Sequence, residues 1–396
     1  MCPNFANDID RWLRDARMKV LHLSDDGLPD WRVEKAALTG KKNGFEIFFG
    51  GRFSNNGHSA AFSRTYPIEW TAGAMIGVPY FYDRVKKQIT RLVNQVRPDI
   101  VHSHNIGSAK ISFDLGLPVV FDDHEYFGML SLVNAENLKL QDHTRRRSGI
   151  GRLIGDMKLG FISRRSISNW TKWERELVSS VPTITVSEQI AQDLRKLSPG
   201  GTRHIFVVPN FPSKAETSEF NKPEFHEKLS CVYAGGDSKH KQVINRDISG
   251  LTNLFMIRDI GNLTIIGWEP ESSQNFKATG FIPRDKMFFE MRQNSIGIIP
   301  WKKHWSHSFL NPNKAYEYAH AGLFVMLTSD LTSVIHTLEG NCLTFENYED
   351  LALKLQYFKT NMEELYKKRV DIFNYARNYL TWEKYEKNII DAYKSV

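Results

Sequence analysis

The chain is poor in cysteine and has no long apolar run, no repeat of fixed period and no low-complexity tract. Its three cysteines, Cys2, Cys231 and Cys342, are isolated and odd in number. That excludes a disulfide framework and offers no zinc-ligand spacing. No apolar stretch approaches the ~20 residues that span a bilayer. The first residues include Asp8, Asp10, Arg11, Arg14 and Asp15, so they lack the apolar core of a secretory signal. The expected location is the cytoplasm.

What is present suits a globular protein. With 396 residues, 41% hydrophobic and 12% aromatic, the chain can bury sizeable cores. Domains of about 150–200 residues make two the natural expectation. The formal charge of +7 is unevenly spread. Residues 139–176 hold ten Lys or Arg against four Asp or Glu. Arg145, Arg146, Arg147, Arg152, Arg164 and Arg165 lie in this window, with Ile150, Leu153, Ile154, Leu159, Phe161 and Ile162 interleaved. The pattern suits an anionic membrane surface or a lipid-phosphate acceptor, and equally a solvated helix face. No nucleic-acid-binding motif accompanies the charge, so no nucleic-acid partner is expected.

Short apolar strands alternate with helical stretches along the whole chain. Strands are expected at 19–23, 45–49, 99–104, 118–122, 183–186 and 205–209, with a loop at 24–30 and helices at 31–39, 82–96 and 188–196. A polar, proline-containing stretch at 213–228 reads as a linker. A second series follows, with strands at 229–234, 263–267, 278–281, 296–300 and 324–327 and a mostly helical end. The expected fold class is α/β, two Rossmann-like doubly wound domains facing a central cleft, with residues 1–212 in the first and 213–379 in the second. In such sheets ligands sit beyond the carboxyl ends of the strands.

One stretch between two buried strands is rich in chemistry: Asn313-Lys314-Ala315-Tyr316-Glu317, running on to Gly322. Pro312 and Asn313 suit a helix start and Gly322 its end. Lys314 and Glu317 then lie near the positive end of a short helix, where an anion and a pair of sugar hydroxyls can be held. A capped helix with charges facing water fits the same residues. The loop Ala234-Gly235-Gly236-Asp237-Ser238-Lys239-His240-Lys241 follows the first strand of the second series. Its paired glycines let backbone amides approach an anion, and it equally suits an ordinary flexible loop. His104 and the run Asp122-Asp123-His124-Glu125 end two strands of the first series. His102 is expected to turn to the opposite face. The aromatic loop Trp301 to His307 suits stacking on a sugar or base, or a surface loop pinned by two tryptophans.

From about Lys19 to Tyr393 the chain resembles GT-B-fold glycosyltransferases of group 1, family GT4. Four stretches carry the resemblance: Pro29-Asp30-Trp31-Arg32-Val33-Glu34-Lys35; Arg97-Pro98-Asp99-Ile100-Val101-His102-Ser103-His104; Thr185-Val186-Ser187-Glu188 with Val208-Pro209-Asn210; and Asn313 to Gly322. Glu317 matches the second glutamate of the family's Glu-x7-Glu signature, which implies a contact to the donor ribose. The first glutamate falls at Phe309, a departure that leaves the donor-sugar contact without its carboxylate. Asn311 and His307 are the nearby candidates to replace it.

The resemblance implies further roles. Gly235, Gly236, Lys239 and above all Lys241 would hold the donor diphosphate with Lys314, and His104 would reach toward the donor sugar. His104 and Lys241 are the expected catalytic residues. Gly27, Asp123, His124 and Glu125 would line the acceptor side. A C-terminal helix, about 380–396, would cross back to the first domain. The implied activity is transfer from a nucleotide-diphosphate sugar to a glycan, lipid-linked or small-molecule hydroxyl, with retention and with neither metal nor cofactor. The alternatives are a non-catalytic scaffold of the same fold that binds a polysaccharide or an enzyme partner, which Phe309 favours, and a nucleotide-sugar epimerase.

Overall fold

The computed structural model describes residues 17–53, 59–71, 73–144, 150–198, 204–235 and 243–396. They divide into two compact units, one ending at Val208 and joined by Tyr385–Val396, the other Pro209–Lys384. The first unit holds strands β1 (Lys19–Leu28), β2 (Glu46–Phe53), β3 (Arg64–Pro67), β4 (Ile100–Ser103), β5 (Val119–Asp122), β6 (Thr183–Thr185) and β7 (Ile205–Val207). They form one sheet in the order β3-β2-β1-β4-β5-β6-β7, with every pairing parallel. The chain runs outward one way from β1 and then the other way from β4. The crevice beyond the carboxyl ends of these two strands is therefore where such a sheet takes a ligand.

The second unit repeats the plan with β8 (Ser230–Ala234), β9 (Asn262–Ile266), β10 (Glu271–Ser273), β11 (Phe276–Ala278), β12 (Ile296–Ile299), β13 (Phe324–Thr328) and β14 (Cys342–Phe345). The order is β10-β11-β9-β8-β12-β13-β14, and only β10 runs antiparallel to its neighbour. Here the reversal lies between β8 and β12. Strands β4, β5, β12 and β13 are buried along their whole length. That is why they read as unbroken apolar runs rather than as alternation.

Several local expectations are corrected. Strand β1 does not stop at Leu23: its pairing with β2 shifts between Leu23 and Gly27 and resumes at Gly27↔Arg52. An irregularity of this kind re-aims side chains beside a site. Asp30 then caps the helix Trp31–Lys42, which runs past the expected end at Thr39, accepting from the amides of Arg32 and Val33. The next helix begins at Pro79, which pre-sets the first helical φ. The stretch at 213–228 contains a short helix, Lys214–Thr217, closed by a Ser213–Glu216 capping box. The strand expected at 278–281 is β11, ending at Ala278, because Gly280 turns the chain with φ +75°.

The helix Asn313–Ala321 is fixed closely to the sheet. A Cβ at Gly297 on β12 would lie 2.3 Å from the Tyr318 ring, so only glycine lets the helix approach this near. The Tyr318 hydroxyl in turn accepts from the Ala234 amide at 2.7 Å. The result sets Lys314 and Glu317 beside the carboxyl end of β8.

Candidate functional site

In the first unit, the carboxyl ends of β1, β4 and β5 surround a buried polar chain. Arg32 holds both oxygens of Asp122, Nε to Oδ2 at 2.8 Å and Nη2 to Oδ1 at 2.7 Å. Burial would raise the Asp122 carboxyl, but Arg32 and the neighbouring histidines hold it well below the usual range. An ionised carboxylate only accepts, so His104 donates from Nδ1 to Oδ2 at 3.1 Å. Its Nε2 then accepts from His22 Nδ1 at 2.8 Å. The Tyr393 hydroxyl bonds His102 Nδ1 at 2.9 Å and lies 3.4 Å from His22 Nε2. Burial drives His22, His102 and His104 toward the neutral form.

His102 does not face away as expected. Its ring stacks on that of His104, with centroids 4.2 Å apart, because residues two apart on a strand share a face. His104 is 2% exposed and both its nitrogens are engaged. The groups His22, His102, His104 and His104, Asp122, His124 each gather ligand atoms within 4.8 Å. In the first group a hydrogen bond joins His22 Nδ1 to His104 Nε2, and in the second a fixed guanidinium already holds Asp122.

Two titratable groups stand outside this buried chain. His124 is half-buried, with Nδ1 3.3 Å from the Asp122 carbonyl oxygen and 3.7 Å from Oδ1. Burial works against its charge, but Asp122 outweighs it and raises the pKa to about 9. Asp25, in the irregular part of β1, accepts from Asn105 Nδ2 at 2.6 Å. Burial and the adjacent Asp26 push its carboxyl up to about 6, while Arg52 and His124 pull it down. Asp123 is wholly buried and accepts from the Phe127 amide. Burial raises its carboxyl and that of the neighbouring Glu174. Glu125 is exposed and Gly27 is half-buried beside Asp25.

In the second unit, Lys314 extends over the Tyr233 ring at 4.4 Å and the Trp301 ring at 4.9 Å. Trp301 Nε1 donates to the Tyr233 hydroxyl at 3.0 Å, fixing both rings. Arg246 approaches Trp301 as well, at 5.9 Å. Lys314 and Arg246 are half-buried, and among the described residues neither has a carboxylate partner. Gly235 follows Tyr233 so closely that a Cβ would lie 2.7 Å from that ring. Its amide donates to Ile266. Gly236, Lys239 and Lys241 lie outside the described residues. One turn beyond Lys314, Glu317 accepts from Arg284 Nη1 at 2.5 Å through Oε1. Arg284 also grips Glu216 at 2.7 Å.

Phe309 ends a 3₁₀ turn, Trp305–Phe309. His307 is buried and bonds the Asn245 carbonyl at 2.8 Å. Asn311 accepts from the Tyr316 hydroxyl.

Of the basic window, Arg145, Arg146 and Arg147 are outside the described residues. Arg152 lies on the helix Ile150–Ser180. Arg164 is exposed near an exposed Phe161, whereas Arg165 donates to the Gly77 carbonyl at 3.1 Å. No described helix is long and apolar enough to cross a membrane.

Two mostly parallel seven-stranded sheets, each with its own reversal of strand order, give the chain the fold of the GT-B glycosyltransferases. Among solved structures it is similar to sucrose-phosphate synthase from Thermosynechococcus elongatus, at 12% identity and TM-score 0.68, over 96% of this chain and 98% of that one. It is also similar to a glycosyltransferase from Rickettsia africae (12%, TM-score 0.62, 96% and 98%). A third is HepE from Anabaena in complex with UDP-glucose (11%, TM-score 0.60, 96% and 100%). No protein-family model and no curated protein matches the sequence. Identities this low establish the fold alone.

Proposed function

We propose that the protein is a glycosyltransferase that moves a sugar from a nucleotide-diphosphate donor to an acceptor hydroxyl. The observation that carries this reading is Lys314. Its ammonium is half-buried on two aromatic faces at a helix start, without a carboxylate partner among the described residues, and Glu317 stands one turn further on. A desolvated cation and helix dipole favour a diphosphate, and the free oxygen of Glu317 suits ribose hydroxyls. HepE, of the same fold, is seen with UDP-glucose. The donor binds the second unit through Lys314, Arg246, Glu317 and the loop from Gly235 through Lys241. The acceptor binds the first unit near His124 and Asp25. Buried as it is, His104 positions Asp122 and through it His124.

We further propose retention of anomeric configuration and no metal at the donor. The acceptor proton then leaves to the departing diphosphate oxygen, whose growing charge Lys314 and Arg246 stabilise. Calorimetry with UDP, GDP, ADP and dTDP, followed by NMR of the product anomer, tests this. Binding of none of the four sinks the donor assignment. An inverted product or abolition of transfer by EDTA sinks the corresponding part.

The basic window supports a lipid-linked acceptor at an anionic membrane surface, through Arg145, Arg146, Arg147, Arg152 and Arg164. Sedimentation with phosphatidylserine vesicles should fall at high salt and on joint replacement of Arg145, Arg146 and Arg147. Sedimentation indifferent to both removes the membrane reading.

A further inference from the structure

The second unit carries an open pocket of about 390 Å³, lined by Lys303, His304, Trp305, Ser308, Ser329, Asp330 and Thr332. It lies beyond the carboxyl ends of β12 and β13, on turns that follow Pro300 and Thr328. The Lys314 cage belongs instead to β8 and β12, and none of its residues lines the pocket. Trp305 is 44% exposed and lines the pocket. His304 packs beside it at 5.3 Å between ring centroids and accepts from the Ser306 amide, which fixes the edge of the platform.

The charges here are matched. Lys303 lies 3.8 Å from Asp330 and also pairs with Glu346. An ionic ligand would have to break that balance. What remains is an aromatic face surrounded by three hydroxyl side chains and a carboxylate. A pyranose has the complementary shape: an apolar C–H face to lie on the indole and a polar rim to meet hydroxyls and carboxylate. The volume admits one or two such rings.

We propose that this pocket is a subsite for a neutral saccharide chain, seated on Trp305 and separate from the nucleotide site. The inference rests on the reading of the protein as a glycosyltransferase, and it narrows the acceptor to a growing glycan with at least one sugar already in place. A chain held here stays with the enzyme between additions.

The test is native gel electrophoresis of the whole protein in gels containing dextran, mannan, galactan, xylan or β-glucan, with and without saturating UDP. Calorimetry with the four nucleotides runs in parallel. At least one polysaccharide should retard the protein, with or without UDP. Trp305→Ala should weaken the interaction about tenfold or more, while Trp305→Tyr keeps most of it. Thr332→Tyr, which fills the pocket and leaves Trp305 in place, should give the same loss. Neither Trp305→Ala nor Thr332→Tyr should change nucleotide binding. Retardation by none of the five, retardation unchanged in both Trp305→Ala and Thr332→Tyr, or retardation abolished by UDP each overturns the subsite. Nucleotide binding separates the two readings: if it persists without retardation, only the subsite fails. If it is absent while glycan is bound, the transferase reading fails and the subsite stands.

Discussion

Replacing Lys314 by methionine is expected to weaken nucleotide-diphosphate binding by about 10- to 100-fold while leaving the fold intact. The ammonium nitrogen lies over the Tyr233 and Trp301 rings, on a side chain borne by the first turn of the helix Asn313–Ala321. Methionine fills the space beside the rings and removes the charge. The loss of cation–π attraction is small, about 0.5–1 kcal/mol at a partly exposed site. A charge-assisted hydrogen bond to an anion is larger, about 1.5–3 kcal/mol. Calorimetry should therefore show a fall in affinity with little change in melting temperature. Arg246→Met should fall in the same direction by less, since it stands farther from Trp301. Wild-type affinity in Lys314→Met would exclude this lysine from the donor site.

The helix bearing Lys314 is legible in sequence because its ends are marked locally, by Pro312 and Gly322, and its flanking strands are unbroken apolar runs. The same holds for β4, which His104 follows, and for β5, which ends in Asp122. What sets the chemistry of those residues is not local. Arg32 meets Asp122 across 90 positions, and Tyr393 meets His102 across 291. Arg284 reaches Glu317 across 33. Nothing in the pattern around Arg284 or Arg246 distinguishes them from surface cations. Their roles appear only when the sheet order brings separate loops to one edge. The face of His102 was within reach of the sequence, since strand alternation alone places it with His104. The short strand Arg64–Pro67 was not: it is an edge strand without an apolar run, paired only to β2.

Glycosyl transfer should have a bell-shaped dependence on pH, rising through about 6 and falling through about 9. Asp25 sets the first limb. Below pH 6 its carboxyl is protonated and accepts only weakly from an acceptor hydroxyl; above it, the carboxylate accepts strongly. His124 sets the second limb, because Asp122 keeps it charged until about pH 9 and the charge is lost above that. In the window between, an anion and a cation stand together at the edge of the first sheet, one to orient the hydroxyl and the other to hold negative charge on the acceptor. Asp25→Asn should flatten the acid limb and His124→Gln the alkaline one, each lowering turnover about 100-fold. The two groups also act on each other. His124 lowers the Asp25 pKa, so His124→Gln should move the acid limb upward in pH. Rate–pH profiles of the wild type and both variants measure all three effects. An acid limb that stays in Asp25→Asn, or moves downward in His124→Gln, would show that other groups carry the titration.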